Sequence, residues 1–346
     1  MHDPTADLPY ALGGPAGSGA IKLSPDDFIV EEILGFEPSG DGEHVFLLIE
    51  KQGDNTDYVA RQLGRFAKVS ARNISYAGLK DRHGRTRQWF SIQLPGQTGP
   101  DWREMETDSL RVLTITRNAR KLRRGAASGN RFQLTLRDLN VQPEVLEARL
   151  QAIRQRGVPN YFGPQRFGHE GQNLDQARAL FADPERRIDP HKRGLYLSAA
   201  RSEIFNRILA ERVRQDNWDQ PIAGDVFMFP DSKSFFKPAE LDDDIHARVA
   251  AKTIHPSGVL WGTTASTASD AALAIEQAIA GHTADLAAGL AAAGLETTRR
   301  PLRLYPESLG WQSPEPDCLQ LDFCLPAGAY ATTVIRELIL THGVEV

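Results

Sequence analysis

The sequence has few of the residues from which disulfide frameworks and structural metal sites are built. Two cysteines, Cys318 and Cys324, occur among 346 residues, which is too few for a disulfide framework or a four-cysteine zinc site. They lie in a run with strand-like alternation, so we expect both on one sheet face as buried packing residues. The nine histidines are scattered, and His83 beside Asp81 is too little for a metal site. We therefore expect no metal.

Membrane-spanning and nucleotide-binding patterns are also missing. No run of about eighteen apolar residues occurs, so we expect no membrane span. The first twenty residues contain no Lys or Arg, and we expect no targeting segment and a cytoplasmic location. The glycine-rich segment 13–19 neither follows a predicted strand nor precedes a Walker lysine, and we interpret it as a flexible terminus.

The composition is that of an ordinary globular protein, but its charges are unevenly distributed. Length predicts two domains, and a net charge of −5 argues weakly against a nucleic-acid partner. Yet segments 61–88 and 111–137 each contain eight Lys or Arg, with one acid in the first and none in the second. Such segregation predicts a positive face that suits a phosphate backbone. The alternative is two solvated basic patches that bind nothing.

The one acid of the first basic segment is Asp81, within the run Asn-Ile-Ser-Tyr-Ala-Gly-Leu-Lys-Asp-Arg-His-Gly-Arg-Thr-Arg-Gln at 73–88. Nearby cations favour the ionised form of a carboxylate. A charged carboxylate among phosphate-binding side chains indicates chemistry on a nucleic acid, with Asp81 as nucleophile or base. The alternative is a surface turn in which Asp81 pairs with a neighbouring arginine.

The hydrophobic pattern predicts strands near both ends of the chain and helices in the middle. Apolar runs and alternation predict strands at 21–32 (with a turn at 24–26), 44–50, 88–94, 110–116, 131–136, 303–304 and 318–325. Helical spacing predicts a helix capped by Asn55 and helices at 146–156, 173–182, 198–215, 271–293 (broken near Gly281) and 331–341. A basic loop is predicted at 117–129 and a hairpin at 225–236. This order predicts a sheet domain interrupted by an inserted module.

Three aromatic residues, Phe28, Phe132 and Tyr330, have two interpretations. Burial in the core is the ordinary role of such rings. In the functional interpretation, the three rings form a slot in which a base pulled out of its helix stacks, and Asn130 contacts the edge of that base. An amide both donates and accepts hydrogen bonds, which suits the edge of uracil.

Five blocks of the sequence follow one another along nearly the whole chain. They are Lys22–Glu32; Ala77–Arg82 with Thr86 and Gln88; Lys121–Arg123 with Gly125, Gly129, Asn130 and Phe132; Gly157–Gly168; and Leu325–Thr332 with Arg336 and Glu337. In this order they resemble the motifs of the TruD family of tRNA pseudouridine synthases, and together they are strongly specific.

The resemblance implies an α+β fold. It comprises a pseudouridine-synthase-like catalytic domain with a mixed, largely antiparallel sheet, in two parts at 1–157 and 304–346, and an inserted α/β TRUD domain at 158–303. The implied activity is isomerisation of a uridine in tRNA, expected at position 13, to pseudouridine, without a cofactor. The implied partner is tRNA, and we expect a monomer with no obligatory protein partner and no membrane association.

Carried over residue by residue, the resemblance makes Asp81 the nucleophile that acts on a flipped-out base. The implied substrate-binding positions are Phe28, Asn130, Phe132, Tyr330, Lys22, Lys80 and Arg82. Tyr330 stands where relatives have Phe; its ring can still stack, but its hydroxyl needs a partner. In an extended segment Lys80 and Arg82 point away from Asp81, which makes Lys22 the expected cation beside it.

The implied reaction breaks the glycosidic C–N bond, turns the uracil and joins C5 to C1′. It needs no redox step, group donor or metal, but it needs a carboxylate in a pocket that excludes water. Attack on C1′ and attack on the uracil ring both remain open. Two other functions also remain: a tRNA chaperone that only binds, and a nucleosidase-like hydrolase that releases free uracil.

Overall fold

A computed structural model describes residues 3–81, 84–230 and 232–343. Its strands are β1 Ser18–Ile21, β2 Phe28–Leu34, β3 His44–Gln52, β4 Ile74–Tyr76, β5 Arg85–Gln93, β6 Leu110–Asn118, β7 Ala127–Asn140, β8 Val158–Pro159, β9 Val226–Met228, β10 Phe235–Phe236, β11 His255–Leu260, β12 Thr298–Pro301, β13 Arg303–Leu304, β14 Glu307–Glu315, β15 Cys318–Pro326 and β16 Leu340–Gly343. Its helices are α1 Thr56–Phe66, α2 Pro143–Arg156, α3 Gln172–Ala182, α4 Pro190–Arg214, α5 Asp243–Ala250, α6 Asp270–His282, α7 Ala284–Ala292 and α8 Ala331–Leu338.

The chain divides into two compact units. The first, which we call the helical unit, comprises the residues through Ala16 together with Pro143–Tyr305 and Ala329–Ile339. The second, the sheet unit, comprises Gly17–Gln142, Pro306–Gly328 and the residues from Leu340 onward. The domain limits predicted after residues 157 and 303 stay a prediction.

The sheet unit is built on a mixed, largely antiparallel sheet, as predicted. Its main path runs β14-β15-β7-β2-β5-β3-β6, with β4 beside β5 and with β1 between β7 and β16. The pairings of β1 with β16 and of β2 with β5 are parallel. All other pairings in this sheet among the described residues are antiparallel. They are β7 with β1, β2 and β15; β3 with β5 and β6; β4 with β5; and β14 with β15. Strands from both ends of the chain therefore share one sheet.

Strand register sorts the side chains of this sheet onto two faces. Directly opposed residues share a face, and Glu32 opposes Asn130 while Val30 opposes Phe132. Toward β3 the same face is covered by α1, whose Val59 and Leu63 are fully buried. Burial of such side chains stabilises the unit by about 1.5–3 kcal/mol each.

The other face of the sheet carries a ladder of ion pairs. Glu50 contacts both Arg85 and Arg87 at 2.9 Å, and Arg87 also contacts Glu31 at 2.9 Å. Arg85 also pairs with Asp26. Two arginines of the first basic segment are therefore already neutralised by neighbouring acids.

The helical unit has its core around α4. That helix packs against α3, α6 and α7, and its Ile204, Phe205 and Leu209 are fully buried. A four-stranded sheet in the order β10-β9-β11-β12 and the pair β13-β8 belong to this unit. The predicted hairpin at 225–236 is confirmed by the antiparallel pairing of β9 with β10. Among the described residues, no helix combines the length and apolarity that a membrane crossing requires.

The C-terminal segments of the helical unit hold its N-terminal segment. Glu337 accepts hydrogen bonds from the backbone N–H groups of Ala11 and Leu12 at 3.1 and 3.2 Å, and burial raises the pKa of its carboxyl. Arg336 donates to the carbonyl of Leu8 at 2.7 Å. These two family-motif residues therefore bind backbone of their own chain.

Several predicted boundaries were wrong. The last helix ends at Leu338, and Leu340 lies in β16, because pairing with β1 overrides the helical pattern. Helix α4 begins at Pro190, where Asp189 caps it, rather than at 198. The strand β7 begins at Ala127, inside the predicted basic loop.

Three smaller differences concern single features. Asn55 precedes α1, but its side chain makes no capping hydrogen bond. The strand β14 was not predicted, because its segment Glu-Ser-Leu-Gly-Trp-Gln-Ser-Pro-Glu shows no regular alternation. Cys318 and Cys324 are free cysteines six residues apart on β15, so they share one face of the strand. Only Cys318 is buried.

Candidate active site

Asp81 lies in the connection from β4 to β5, and buried polar side chains hold this loop in place. The hydroxyl of Thr56 donates to Gln88 Oε1 at 3.0 Å and accepts from the backbone N–H of Lys80 at 3.0 Å. Gln88 also donates to the carbonyl of Gly78. Because Thr56 and Gln88 are almost fully buried, they fix the part of the loop that precedes Asp81. This gives Gln88, part of the family motif, a positioning role.

Lys22 forms an ion pair with Asp81. Its Nζ lies 2.8 Å from Asp81 Oδ2, and the exposed fractions of the two side chains are 3% and 27%. Lys22 follows β1 directly and has a φ of 59°, in the left-handed region that is uncommon for residues with a side chain. The expected contact of Lys22 with Asp81 is confirmed, and the partly exposed carboxylate can still meet a substrate.

A second lysine, Lys51, lies beneath the loop and was not predicted. It is 1% exposed, and its Nζ donates to the carbonyls of Asp54 at 2.8 Å and Asp81 at 3.2 Å. Burial lowers the pKa of Lys51 to about 8, partly opposed by the charge of Asp81. The sequence could have indicated this burial, because Lys51 lies two residues after Ile49 and therefore on the same, buried face of β3.

Lys80 points to a different carboxylate. Its Nζ lies 2.7 Å from Glu32 Oε2, and the exposed fraction of the Glu32 side chain is 0%. Glu32 also accepts a hydrogen bond from the backbone N–H of Trp89 at 3.2 Å. The structure thus places Lys80 in a buried pair, and its contact with substrate stays a prediction. Arg82, the third candidate cation, lies outside the described residues.

Phe28 and Phe132 form a row of aromatic rings beside Lys22. The Lys22 Nζ lies 4.2 Å from the centre of the Phe28 ring, within the range of a cation–π contact. Phe28 meets Phe132 edge to face at 6.4 Å, and Phe132 stacks on Phe323 at 5.5 Å between ring centres. Both predicted rings are buried. Phe28 contacts Lys22 and Phe132 packs against Phe28, while stacking of a base on them stays a prediction.

Asn130 occupies the position on β7 opposite Glu32 and next to Leu325 of β15. Its side-chain oxygen is buried and has no hydrogen-bond partner among the described residues. An unsatisfied buried amide oxygen costs about 1–3 kcal/mol, so it is a natural acceptor for a ligand N–H group. The structure therefore brings Asp81, Lys22, Phe28, Phe132 and Asn130 onto one part of the sheet unit.

Tyr330 belongs to the helical unit. It precedes α8, meets Phe162 edge to face at 6.1 Å between ring centres, and lies 5.9 Å from the Arg166 guanidinium carbon. Its predicted role in the pocket of Asp81 stays a prediction.

Exposed cations of both basic segments meet in the sheet unit. Lys121 donates to the carbonyl of Arg72 at 2.8 Å, and the Arg124 guanidinium lies 5.0 Å from the centre of the Tyr76 ring. Arg72, Lys121 and Arg124 are all exposed. These three cations lie together in the sheet unit, whereas Arg85 and Arg87 belong to the ion-pair ladder; the positive face stays a prediction.

Comparison with known proteins gives one family. The family model described as tRNA pseudouridine synthase D (TruD) matches residues 8–175 and 172–338. The chain is 55% identical to a protein of Methylococcus capsulatus over 96% of this chain and 94% of the relative. It is 47% identical to a protein of Stutzerimonas stutzeri over 97% of this chain and 96% of the relative. Both relatives are named tRNA pseudouridine synthase D.

A solved structure agrees on the fold. The crystal structure of a protein of Methanosarcina mazei, described as tRNA pseudouridine synthase D (TruD), superposes with a TM-score of 0.72. The alignment covers 96% of this chain and 95% of that chain, at 23% identity. Likeness at this identity shows a shared fold, and so supports the predicted α+β class.

Proposed function

The chain belongs to the TruD family of tRNA pseudouridine synthases, and on that premise we propose that it isomerises a uridine of tRNA, expected at position 13, to pseudouridine. Asp81 is the proposed nucleophile and acts on a base flipped out of its helix. The relatives' shared name gives the reaction class, and the arrangement around Asp81 supports the assignment of this residue.

The observation that carries the assignment is the ion pair between a buried lysine and a partly exposed carboxylate. Lys22 is 3% exposed and lies 2.8 Å from the Asp81 carboxylate, which is 27% exposed. A fixed positive charge at this distance favours the ionised carboxylate. Asp81 therefore keeps a charged oxygen for the substrate without needing a cation from solvent.

The reaction needs little else from the protein. The bond from uracil N1 to C1′ breaks, the ring turns, and a bond from C5 to C1′ forms; N1 ends with a proton and C5 ends without one. Attack by Asp81 on C1′ and attack on the ring both require a charged carboxylate, and both require that competing water be kept from the reacting atoms.

Asn130 is the proposed contact for the uracil edge. Its buried side-chain oxygen has no partner among the described residues, and it would accept the N3–H of uracil while the amide NH₂ donates to a uracil carbonyl. Base extrusion exposes this edge, because pairing and stacking no longer hide it.

The test is pseudouridine mapping on tRNA transcripts incubated with the purified wild-type chain or with Asp81→Asn. We expect one uridine to be converted by the wild type. We expect Asp81→Asn to lower the rate by at least about 10³-fold while binding tRNA as tightly as the wild type. The matched control is Asp57→Asn, a change of the same charge on α1.

Three outcomes would overturn this assignment. Conversion by Asp81→Asn at the wild-type rate would remove Asp81 from the chemistry. Binding of tRNA by the wild type without any conversion would favour the chaperone function, and free uracil among the products would favour the hydrolase.

A further inference from the structure

A second polar cluster lies entirely within the helical unit. It comprises Asn160, Phe162, Arg166, Arg300, Tyr330 and Thr332, and we call it the Arg166 cluster. Its residues come from distant parts of the chain: the segment after β8, the strand β12, and the start of α8. The fold therefore assembles it, and no single sequence motif contains it.

Two guanidinium groups of this cluster share one aromatic ring. The Arg300 guanidinium carbon lies 4.0 Å from the centre of the Phe162 ring, and that of Arg166 lies 5.3 Å from the same centre. Arg300 is held from the far side, because it donates to the Asn160 side-chain oxygen at 2.6 Å. Two positive charges are thus fixed close together on rigid neighbours.

The donors of Arg166 are only partly used. Arg166 donates through one NH₂ group to the Ser198 hydroxyl at 3.0 Å. Its Nε is buried and has no hydrogen-bond partner among the described residues, and the same holds for the Thr332 hydroxyl. Across the described part of the chain, no carboxylate lies within ion-pair distance of Arg166. Buried polar atoms of this kind are uncommon and call for a ligand or a partner.

Both unsatisfied groups border Tyr330. Arg166 lies 5.9 Å from the Tyr330 ring centre. A Cβ built on Gly163 would meet Thr332 Oγ1 at 2.8 Å and Tyr330 Cδ1 at 3.3 Å, so the backbone of Gly163 lies directly against both residues. The neighbouring Gln165 is exposed and Arg166 is half-buried, which leaves the cluster open to solvent on this side.

The electrostatics of the cluster favour an anion. The pKa of Arg300 is lowered to about 10, mainly by burial and to a smaller extent by the charge of Arg166. A negatively charged ligand between or beside the two guanidinium groups would relieve both the desolvation and the repulsion. Arginine binds phosphate oxygens through two parallel hydrogen bonds, which a half-buried guanidinium with a spare Nε can supply.

We propose that the Arg166 cluster is a binding site for one backbone phosphodiester of the RNA substrate, held by Arg166, Arg300 and the Thr332 hydroxyl. The choice of an RNA phosphodiester over other anions rests on the proposed function, in which the substrate is a tRNA. Phosphate contacts of this kind fix the register of a nucleic acid on a protein.

The test measures how salt affects the binding of bulk tRNA with a 3′ fluorophore, by fluorescence anisotropy, for the wild-type chain and Arg166→Gln. Each phosphate contact releases counterions, so its loss reduces the slope of log K against log salt by about one. We expect Arg166→Gln to show that reduction and to bind tRNA about tenfold more weakly at low salt.

The matched control is Arg178→Gln, which removes an arginine from the same unit. Arg178 pairs with Asp285 at 3.0 Å, so its loss should leave both the affinity and the slope unchanged. Arg166→Lys keeps the charge without the planar fork, and we expect it to restore the slope but only part of the affinity. Equal slopes for the wild type and Arg166→Gln would overturn the proposal.

Two adjacent threonines separate ligand contact from stability. The Thr333 hydroxyl donates to the carbonyl of Tyr330 at 2.6 Å, whereas Thr332 has the unsatisfied hydroxyl. We expect Thr332→Val to weaken tRNA binding about threefold with an unchanged melting temperature, and Thr333→Val to lower the melting temperature with unchanged binding. The reverse pattern would contradict a phosphate contact at Thr332.

Failure of this site and failure of the proposed function are distinguishable. The salt slopes need only RNA binding, whereas the proposed function needs conversion of uridine. A wild-type chain that binds tRNA without converting it would refute the function, and the slope of Arg166→Gln would still decide the phosphate site.

Discussion

The charged clusters of the two units differ in what surrounds their cations. In the sheet unit, Lys22 meets Asp81 at 2.8 Å and Lys80 meets Glu32 at 2.7 Å. In the helical unit, Arg166 meets a serine hydroxyl and two aromatic rings. The first arrangement fixes a negative charge that belongs to the protein. The second suits a negative charge that a ligand brings.

The comparison also separates two kinds of carboxylate within the sheet unit. Glu32 is fully buried, while 27% of the Asp81 side chain is exposed. A buried ion pair is costly to break, because the remaining charge has no solvent. A pair with a partly exposed carboxylate costs less to break, so the charge of Asp81 is available for chemistry.

The largest effect expected from a cation is at Lys22. Lys22→Met removes the charge beside Asp81, and we expect single-turnover pseudouridine formation to fall by about 10²-fold or more, with tRNA binding within about twofold of the wild type. The folding stability should change little, because Asp81 reaches solvent. A wild-type rate for Lys22→Met would show that this ion pair has no part in the reaction.

Lys80→Met should instead act on stability. It leaves the buried Glu32 carboxylate without its cation, and we expect a loss of about 3 kcal/mol in the free energy of unfolding, measured with urea. The matched control is the double variant Lys80→Met with Glu32→Gln, which removes both charges and should recover most of the loss. Equal stability for the single and double variants would contradict the buried pair.

Gly163→Ala should disturb the Arg166 cluster by steric crowding, without changing any charge. The φ of Gly163 is −74°, so alanine fits the backbone, but its Cβ would lie 2.6 Å from Gln165 Oε1 and 2.8 Å from the Thr332 hydroxyl. We expect tRNA binding to weaken about fivefold by anisotropy, in line with a modest overpacking cost. The control is Gly194→Ala in α4, where a Cβ meets nothing within 4 Å. Equal binding by both variants would argue against a crowded ligand site.

The smallest effect is a dependence of stability on pH at Lys51. Its pKa is lowered from 10.5 to about 8, so between these values the folded chain has released a proton that the unfolded chain keeps. Unfolding then takes up a proton, and stability rises with pH. Urea unfolding should show the wild type gaining stability relative to Lys51→Met across this range. The exposed Lys192→Met should show no such trend, and a flat difference for Lys51→Met would contradict the shift.

The sequence was most informative where short-range pattern and chemistry coincide. Alternation in 131–136 predicted the centre of β7, and the single acid in a basic segment identified Asp81. The alternation of side chains along an extended segment also predicted that Lys80 points away from Asp81, and Lys80 pairs with Glu32 instead. These features depend on neighbours in the chain, which the sequence displays directly.

Features that depend on distant pairing could not be predicted in this way. The segment at Leu340 has a helical pattern but becomes a strand because β1 is available as a partner. The parity of β3 puts Lys51 on its buried face, but the sequence does not show that the loop at Asp81 covers this lysine. Arg166, Arg300 and Thr332 come together only through the packing of the helical unit.

The position of Lys22 has a consequence for biosynthesis. Lys22 follows β1 directly, and β1 lies between β7 and β16, the last strand of the described chain. A ribosome makes the N-terminal strand first, but β1 gains its parallel neighbour only after residues 340–343 have been translated. Until then the nascent polypeptide carries β1, and with it Lys22, beside only one of its two neighbouring strands.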